Sequence, residues 1–179
     1  ACAALLPLGG AHGAGLAVEK TLNVDLAPKI DVAVKRREQF AVHVPHAAST
    51  ATSGSWTRAA GTSTWRYSVR IPTAVSLSFQ AGSYRLPMGA SLTVTDASGG
   101  RTVYRPEDGR PQGLLSRTSL GDSLWFELTV PTRDESKVEF AIVDLQAGYR
   151  AFGGRAQNHP HYQKLQKETQ ARLASPCVE

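Results

Sequence analysis

Two short stretches place a serine among hydrolase-like neighbours. Gly121-Asp122-Ser123-Leu124 spells the block that opens one class of lipases and esterases. That chemistry needs the nucleophile on a sharp turn from a strand into a helix. Here Leu124, Phe126, Leu128 and Val130 run on in alternation, so Ser123 is read as the start of a strand. Asp96-Ala97-Ser98-Gly99-Gly100 has the acid, serine and glycines of a serine-nucleophile loop, with an alanine inserted. The insertion displaces the serine from the backbone amides that would hold an oxyanion. Asp and Gly between two strands are ordinary hairpin residues, and a turn is expected there. His43 and His46 lie three apart, and His159 and His161 two apart. No third ligand follows at a metal-site spacing, so no metal is assigned. With no phosphate-binding glycine loop or dinucleotide fingerprint, no cofactor is assigned either. No complete catalytic constellation emerges, and catalytic and cofactor residues are both set at none.

The elements that would carry these residues are mostly strands. Val24, Leu26, Ile30, Val32 and Val34 suit extended segments around Pro28. Phe40 to Val44 reads as a short strand ending at Pro45, and His46 to Gly54 as a loop. Ser55 to Arg58 and Thr64 to Arg70 flank a turn at residues 59–63. Trp65, Tyr67 and Val69 alternate with Arg66, Ser68 and Arg70, giving one apolar and one polar face. Val75, Leu77 and Phe79 alternate likewise. Tyr84 and Leu86 lead through the turn Pro87-Met88-Gly89-Ala90 to Leu92 and Val94. Leu124 to Val130 and Val138 to Leu145 are the strongest strands. About eight to ten short strands predict an all-β fold: an antiparallel β-sandwich or jelly-roll-like domain. From His161 to Ala174 helix formers carry only a narrow apolar stripe, so a helical or flexible C-terminal tail is expected.

At 179 residues, one domain with tails is the expectation, large enough for a core without disulfide or metal support. Apolar residues at 41% rule out a disordered chain. The net charge of +5 is scattered, and only Lys35, Arg36 and Arg37 cluster, so nucleic acid is not an expected partner. No apolar run is long enough to span a bilayer as a helix. Residues 1–15 are small, apolar and uncharged with a Pro/Gly break, which reads as the remnant of a secretory signal peptide. Export to the periplasm or outside the cell is expected, with Cys2 leaving with the signal or serving as a lipid anchor. Cys177 then has no partner in the exported chain, which points to one beyond Glu179. A free thiol and intermolecular pairing are the alternatives. The expected organisation is a signal remnant at 1–15 and an extended N-terminal segment at 16–54. A β-sandwich follows at 55–154, then a linker at 155–179.

The middle of the chain resembles the N-terminal pro-region of secreted bacterial trypsin-like serine endopeptidases of the lysyl endopeptidase family. The stretches that carry the resemblance begin with Trp65-Arg66 and Ala74-Val75-Ser76-Leu77-Ser78-Phe79. Tyr84-Arg85-Leu86-Pro87-Met88-Gly89-Ala90-Ser91-Leu92 and Gly121-Asp122 follow. Phe126-Glu127-Leu128, Val130-Pro131 and Val138 to Leu145 leading to Gly148-Tyr149-Arg150 complete the series. It spans about Ser55 to Gly154 and rests on strand patterns rather than catalytic residues. Ser175-Pro176-Cys177-Val178-Glu179 looks similar to the start of the mature protease, where a cysteine joins a disulfide inside the protease domain. The resemblance therefore implies that Cys177 pairs with a residue outside this chain, and it transfers no catalytic residue.

The implied function is a non-catalytic pro-domain that helps its protease fold, blocks it until cleavage, or both. The implied partner is the cognate trypsin-like protease domain of the same precursor, with the chain monomeric. A trypsin-like site takes Lys or Arg through a buried carboxylate. Arg155, Lys164, Lys167 and Arg172 are therefore the candidate processing sites, in the kind of tail where proteolysis concentrates. The rival is a secreted carbohydrate- or cell-surface-binding module. Trp56, Trp65, Trp125, Tyr67, Tyr84 and Tyr104 would supply its aromatic platform. Alternation puts Trp65 and Tyr67 on the Val69 face, which assigns those two to the core.

Overall fold

Alternating apolar and polar side chains make a strand that is stable only when its apolar face is covered. The computed structural model satisfies that demand by packing two sheets face to face. It describes residues 19–26 and 40–149, with Gln163 and Lys167 in the tail, both helical and exposed. The described residues form eleven strands, as an all-β sandwich with antiparallel-rich sheets. They are β1 (Lys20–Thr21), β2 (Ala41–Ser49), β3 (Ser55–Ala59) and β4 (Thr62–Arg70). Next come β5 (Ser76–Arg85), β6 (Ser91–Asp96), β7 (Arg101–Tyr104) and β8 (Leu114–Leu115). β9 (Ser119–Leu120), β10 (Ser123–Pro131) and β11 (Glu139–Gly148) complete the set. Short 3-10 segments at Pro106–Asp108 and Thr132–Lys137 link strands that follow one another in the chain. No helix among the described residues is long and apolar enough to cross a membrane.

The first sheet runs β1-β4-β10-β6-β7, with β3 sharing the outer edge of β4 with β1. The second runs β2-β11-β5-β8, with β9 further along the same edge of β5. Trp65, Tyr67, Val69, Leu124, Phe126, Leu128, Leu92 and Val94 point inward from the first sheet. Leu77, Phe79, Phe140, Ile142 and Leu145 point inward from the second. The sheets meet through aromatic edges. Phe126 and Phe79 cross at 5.1 Å between ring centres, and Trp65 and Phe140 at 5.7 Å, both edge-on. That geometry sets the positive ring edge against the negative face of its partner.

Strand β2 departs from the sequence expectation. It runs straight through Pro45 to Ser49 rather than ending at Val44, so residues 46–49 are strand and not loop. Proline removes a backbone donor and is tolerated on an edge strand or at a bulge. Both conditions hold, because β2 is the edge of its sheet and its register with β11 shifts between Ile142 and Asp144. β1 and β2 belong to the sandwich, so residues ahead of Ser55 supply two of its strands. Leu26 joins the core, fully buried. Ile30, Val32 and Val34 lie outside the described residues.

The β3–β4 hairpin is also tighter than expected. Its loop is Ala60-Gly61 alone, with φ of 49° and 78°, the two-residue turn whose twist matches the strands. At the outer end of the hairpin, Arg58 forks onto Glu135, donating from Nε to Oε2 at 2.7 Å. This bond holds the Glu135 carboxyl below its usual value.

Candidate functional site

The two serine motifs are built as strand and turn. Asp96 Oδ1 accepts hydrogen bonds from the Ser98 and Gly100 amides at 2.9 and 2.8 Å, and from Ser98 Oγ at 2.6 Å. One carboxylate thus closes the β6–β7 hairpin, the turn expected at that stretch. Ser123 opens β10, buried, and donates from Oγ to Asp122 Oδ1 at 2.9 Å. Asp122 Oδ2 in turn accepts from Arg70 Nε at 2.7 Å. Leu124 then continues as strand, so the turn into a helix that an esterase serine needs does not form.

The histidines of β2 separate. His43 and His46 occupy positions of opposite parity, so their side chains point to opposite faces. His43 Nδ1 lies 2.7 Å from Asp144 Oδ2. His46 Nε2 lies 2.7 Å from Tyr67 OH, with the rings stacked at 6.1 Å. No group of three metal-ligating side chains occurs among the described residues.

Burial lowers the His46 pKa, helped by the nearby Lys20 charge, and raises that of Tyr67 to about 12. Tyr67 therefore stays a donor and the neutral imidazole its acceptor. A base with a lowered folded pKa leaves the unfolded chain binding more protons below the ordinary imidazole value of about 6.5. The stability it confers is complete above that value and declines as pH falls toward the folded pKa. The urea midpoint should therefore fall between about pH 7.5 and about pH 5 in the wild type. The fall should be smaller in His46→Gln, whose side chain still accepts from Tyr67. Equal falls in the two proteins would remove His46 from the acid response.

The aromatic platform of the sequence reading does not assemble. Trp65, Tyr67, Tyr84 and Tyr104 are buried in the core, and Trp56 is half-buried against it. The indole N–H of Trp65 donates to the Ser53 carbonyl at 2.7 Å and that of Trp56 to the Thr50 carbonyl at 3.0 Å. Trp125 differs from both. It sits out of phase with Leu124, Phe126 and Leu128, so its ring faces outward from the first sheet. Its Nε1–H is covered and has no acceptor among the described residues.

Strand register builds a site around it. Trp125 pairs with Ser68 on β4 and Thr95 on β6, and Thr95 pairs with Arg101 on β7. The adjacent row reads Ser55, Arg66, Glu127, Thr93 and Val103. Arg66 Nε donates to Glu127 Oε2 at 2.8 Å across the strands. At the β4 edge, Ser68 Oγ accepts the Glu19 amide at 2.8 Å, and Glu19 Oε1 accepts the Gly54 amide at 2.9 Å. Small hydroxyl residues on both sides of a large ring leave a trough, and its volume is about 400 Å³. The sequence marked Trp125 but not its neighbours. The available signal was the out-of-phase tryptophan in β10 together with Thr93 and Thr95 between Leu92 and Val94.

Of the candidate processing sites, Lys167 is exposed. Arg155, Lys164 and Arg172 lie outside the described residues, as does Cys177. No protein-family model, curated protein or solved structure matches the chain.

Proposed function

We propose that this chain is the non-catalytic pro-region of a secreted trypsin-like serine endopeptidase precursor. One observation carries the reading. The stretches that resemble such pro-regions occupy the middle of both sheets: Trp65-Arg66 lies in β4 and Phe126-Glu127-Leu128 in β10. Val75 to Phe79 leads through β5, and Val138 to Leu145 through β11. They form one domain-sized core rather than scattered loops, as expected of a unit that folds ahead of a protease. The hydroxyls of Ser98 and Ser123 are spent on local hydrogen bonds to Asp96 and Asp122.

Proteases that survive their own activity are often protected by a high unfolding barrier, and where that barrier reflects a high-energy transition state rather than a deep native state, folding is slow as well. A folded β domain that binds the folding protease lowers the barrier, and one that covers the cleft delays activity. Cutting the tail at Arg155, Lys164, Lys167 or Arg172 then releases the enzyme. The test is refolding in trans of the catalytic domain encoded in the same reading frame. Adding the purified chain should raise the yield of active protease by about tenfold or more. The secreted enzyme should begin after one of the four basic residues. A yield unchanged by the chain, or a mature N-terminus upstream of Arg155, would overturn the reading.

A further inference from the structure

We infer that the trough over Trp125 is a glycan-binding site, one the pro-region reading does not require. The outer face of the first sheet around it is mostly polar: Ser68, Thr93 and Thr95 supply hydroxyls, Arg66 and Glu127 form an ion pair, and Val103 is the apolar residue at the β7 end of the adjacent row. Trp125 is the large apolar group among them. A tryptophan whose indole N–H is covered normally satisfies it, as the buried Trp65 and the half-buried Trp56 do here. The covered Nε1–H of Trp125, with no acceptor among the described residues, is therefore a standing cost of placing the ring at this point of the sheet.

The chemistry selects the ligand. A sheet face offers no free backbone N–H or C=O, because these are spent within the ladder. A peptide strand docks on a sheet edge for that reason. What this face offers is a flat aromatic surface ringed by hydroxyl, guanidinium and carboxylate groups. A pyranose ring has the matching surface, with axial C–H groups on one side and hydroxyls around its rim. The C–H side stacks on the indole, and adjacent hydroxyls bridge the Arg66 guanidinium and the Glu127 carboxylate. The trough continues along the row from Trp125 through Thr95 to Arg101. Arg101 is exposed, and its side chain makes no ion pair or hydrogen bond among the described residues. The Glu19 carboxylate lines the opposite, β4 end of the trough and is held on the Gly54 amide, so it is at the β7 end, beside Arg101, that an acidic sugar gains the advantage over a neutral one.

Titration calorimetry of the full chain with hexasaccharides of a neutral β-1,4-glucan, of N-acetylglucosamine and of a β-1,4-linked polyuronate tests the site. The uronate hexasaccharide should bind saturably, at least about tenfold more tightly than the neutral glucan. Trp125→Ala should weaken that binding by about tenfold or more while the variant still unfolds in a single cooperative urea transition, which shows that the fold is retained. Arg101→Gln should remove the difference between acidic and neutral sugars. No binding of any of the three at millimolar concentration would overturn the proposal. So would binding that survives Trp125→Ala, and equal affinities in the wild type would overturn the role of Arg101. Refolding of the protease in trans reads the pro-region function separately, so failure of one assay leaves the other intact.

Discussion

Phe126→Ala should lower the free energy of unfolding by about 3–5 kcal/mol, among the largest single-site losses expected in this protein. Phe126 is almost fully buried at the centre of the aromatic contact between the sheets. Its ring lies 5.1 Å from Phe79, 6.0 Å from Tyr67 and 6.3 Å from Phe140. Phe79 and Phe140 belong to the opposite sheet, so truncation opens a cavity with walls on two layers. Each wall is a hydrogen-bonded sheet that cannot collapse onto a missing ring, and the lost contacts are not recovered. A fall in melting temperature of about 6–20 °C is expected. Denaturant unfolding of Phe126→Ala beside Val103→Ala measures it. Val103 is 50% exposed on the edge strand β7, and its truncation should change stability by about 0.5 kcal/mol or less. A loss below about 1 kcal/mol for Phe126→Ala would mean that the sheets are not held together there.

The second large effect belongs to Gly54. Its φ of +72° lies in the left-handed region, where a side chain alone costs about 1–3 kcal/mol. A Cβ at this position would stand 2.4 Å from the Arg66 carbonyl oxygen and 2.6 Å from Trp65 Nε1. Neither can retreat easily. The carbonyl belongs to β4, and the indole is fully buried and tied to Ser53. The Gly54 amide also donates to Glu19, fastening the N-terminal segment at the edge of the Trp125 trough. Gly54→Ala should therefore cost clearly more than Gly99→Ala. Gly99 has a similar φ of +82°, yet a Cβ there meets nothing within 4 Å. The difference between the two unfolding free energies isolates the steric part from the conformational part. Equal costs would show that Trp65 and the β4 backbone yield freely.

Much of the sandwich was legible because alternation is a local property. Leu124 to Val130 and Trp65 to Val69 declare a buried and an exposed face within a few residues, and the structure buries the faces so declared. The turn at Asp96 to Gly100 was legible for the same reason, since the carboxylate that closes it lies within four residues of every amide it binds. Pro45 misled in β2 because its effect depends on position. On an edge strand the missing donor faces no neighbour, and whether a strand is an edge is fixed by sheet order, which local pattern does not encode. Trp125 was visible as an aromatic residue, but not as the centre of a trough. Ser68, Thr95 and Arg101 reach it from 57, 30 and 24 positions away in sequence, through registers set by the whole sheet.

By itself, then, the sequence determined which side chains seek the interior, where the hairpins close, and that the two serine motifs lie at a strand start and in a turn. These follow from contacts between near neighbours. The tertiary structure alone decided which strands lie side by side, that β1 and β2 belong to the sheets, and which polar residues share a row with Trp125. Pairing partners in a sheet are chosen by burial of both faces at once, a global constraint that a one-residue slip would violate along an entire strand.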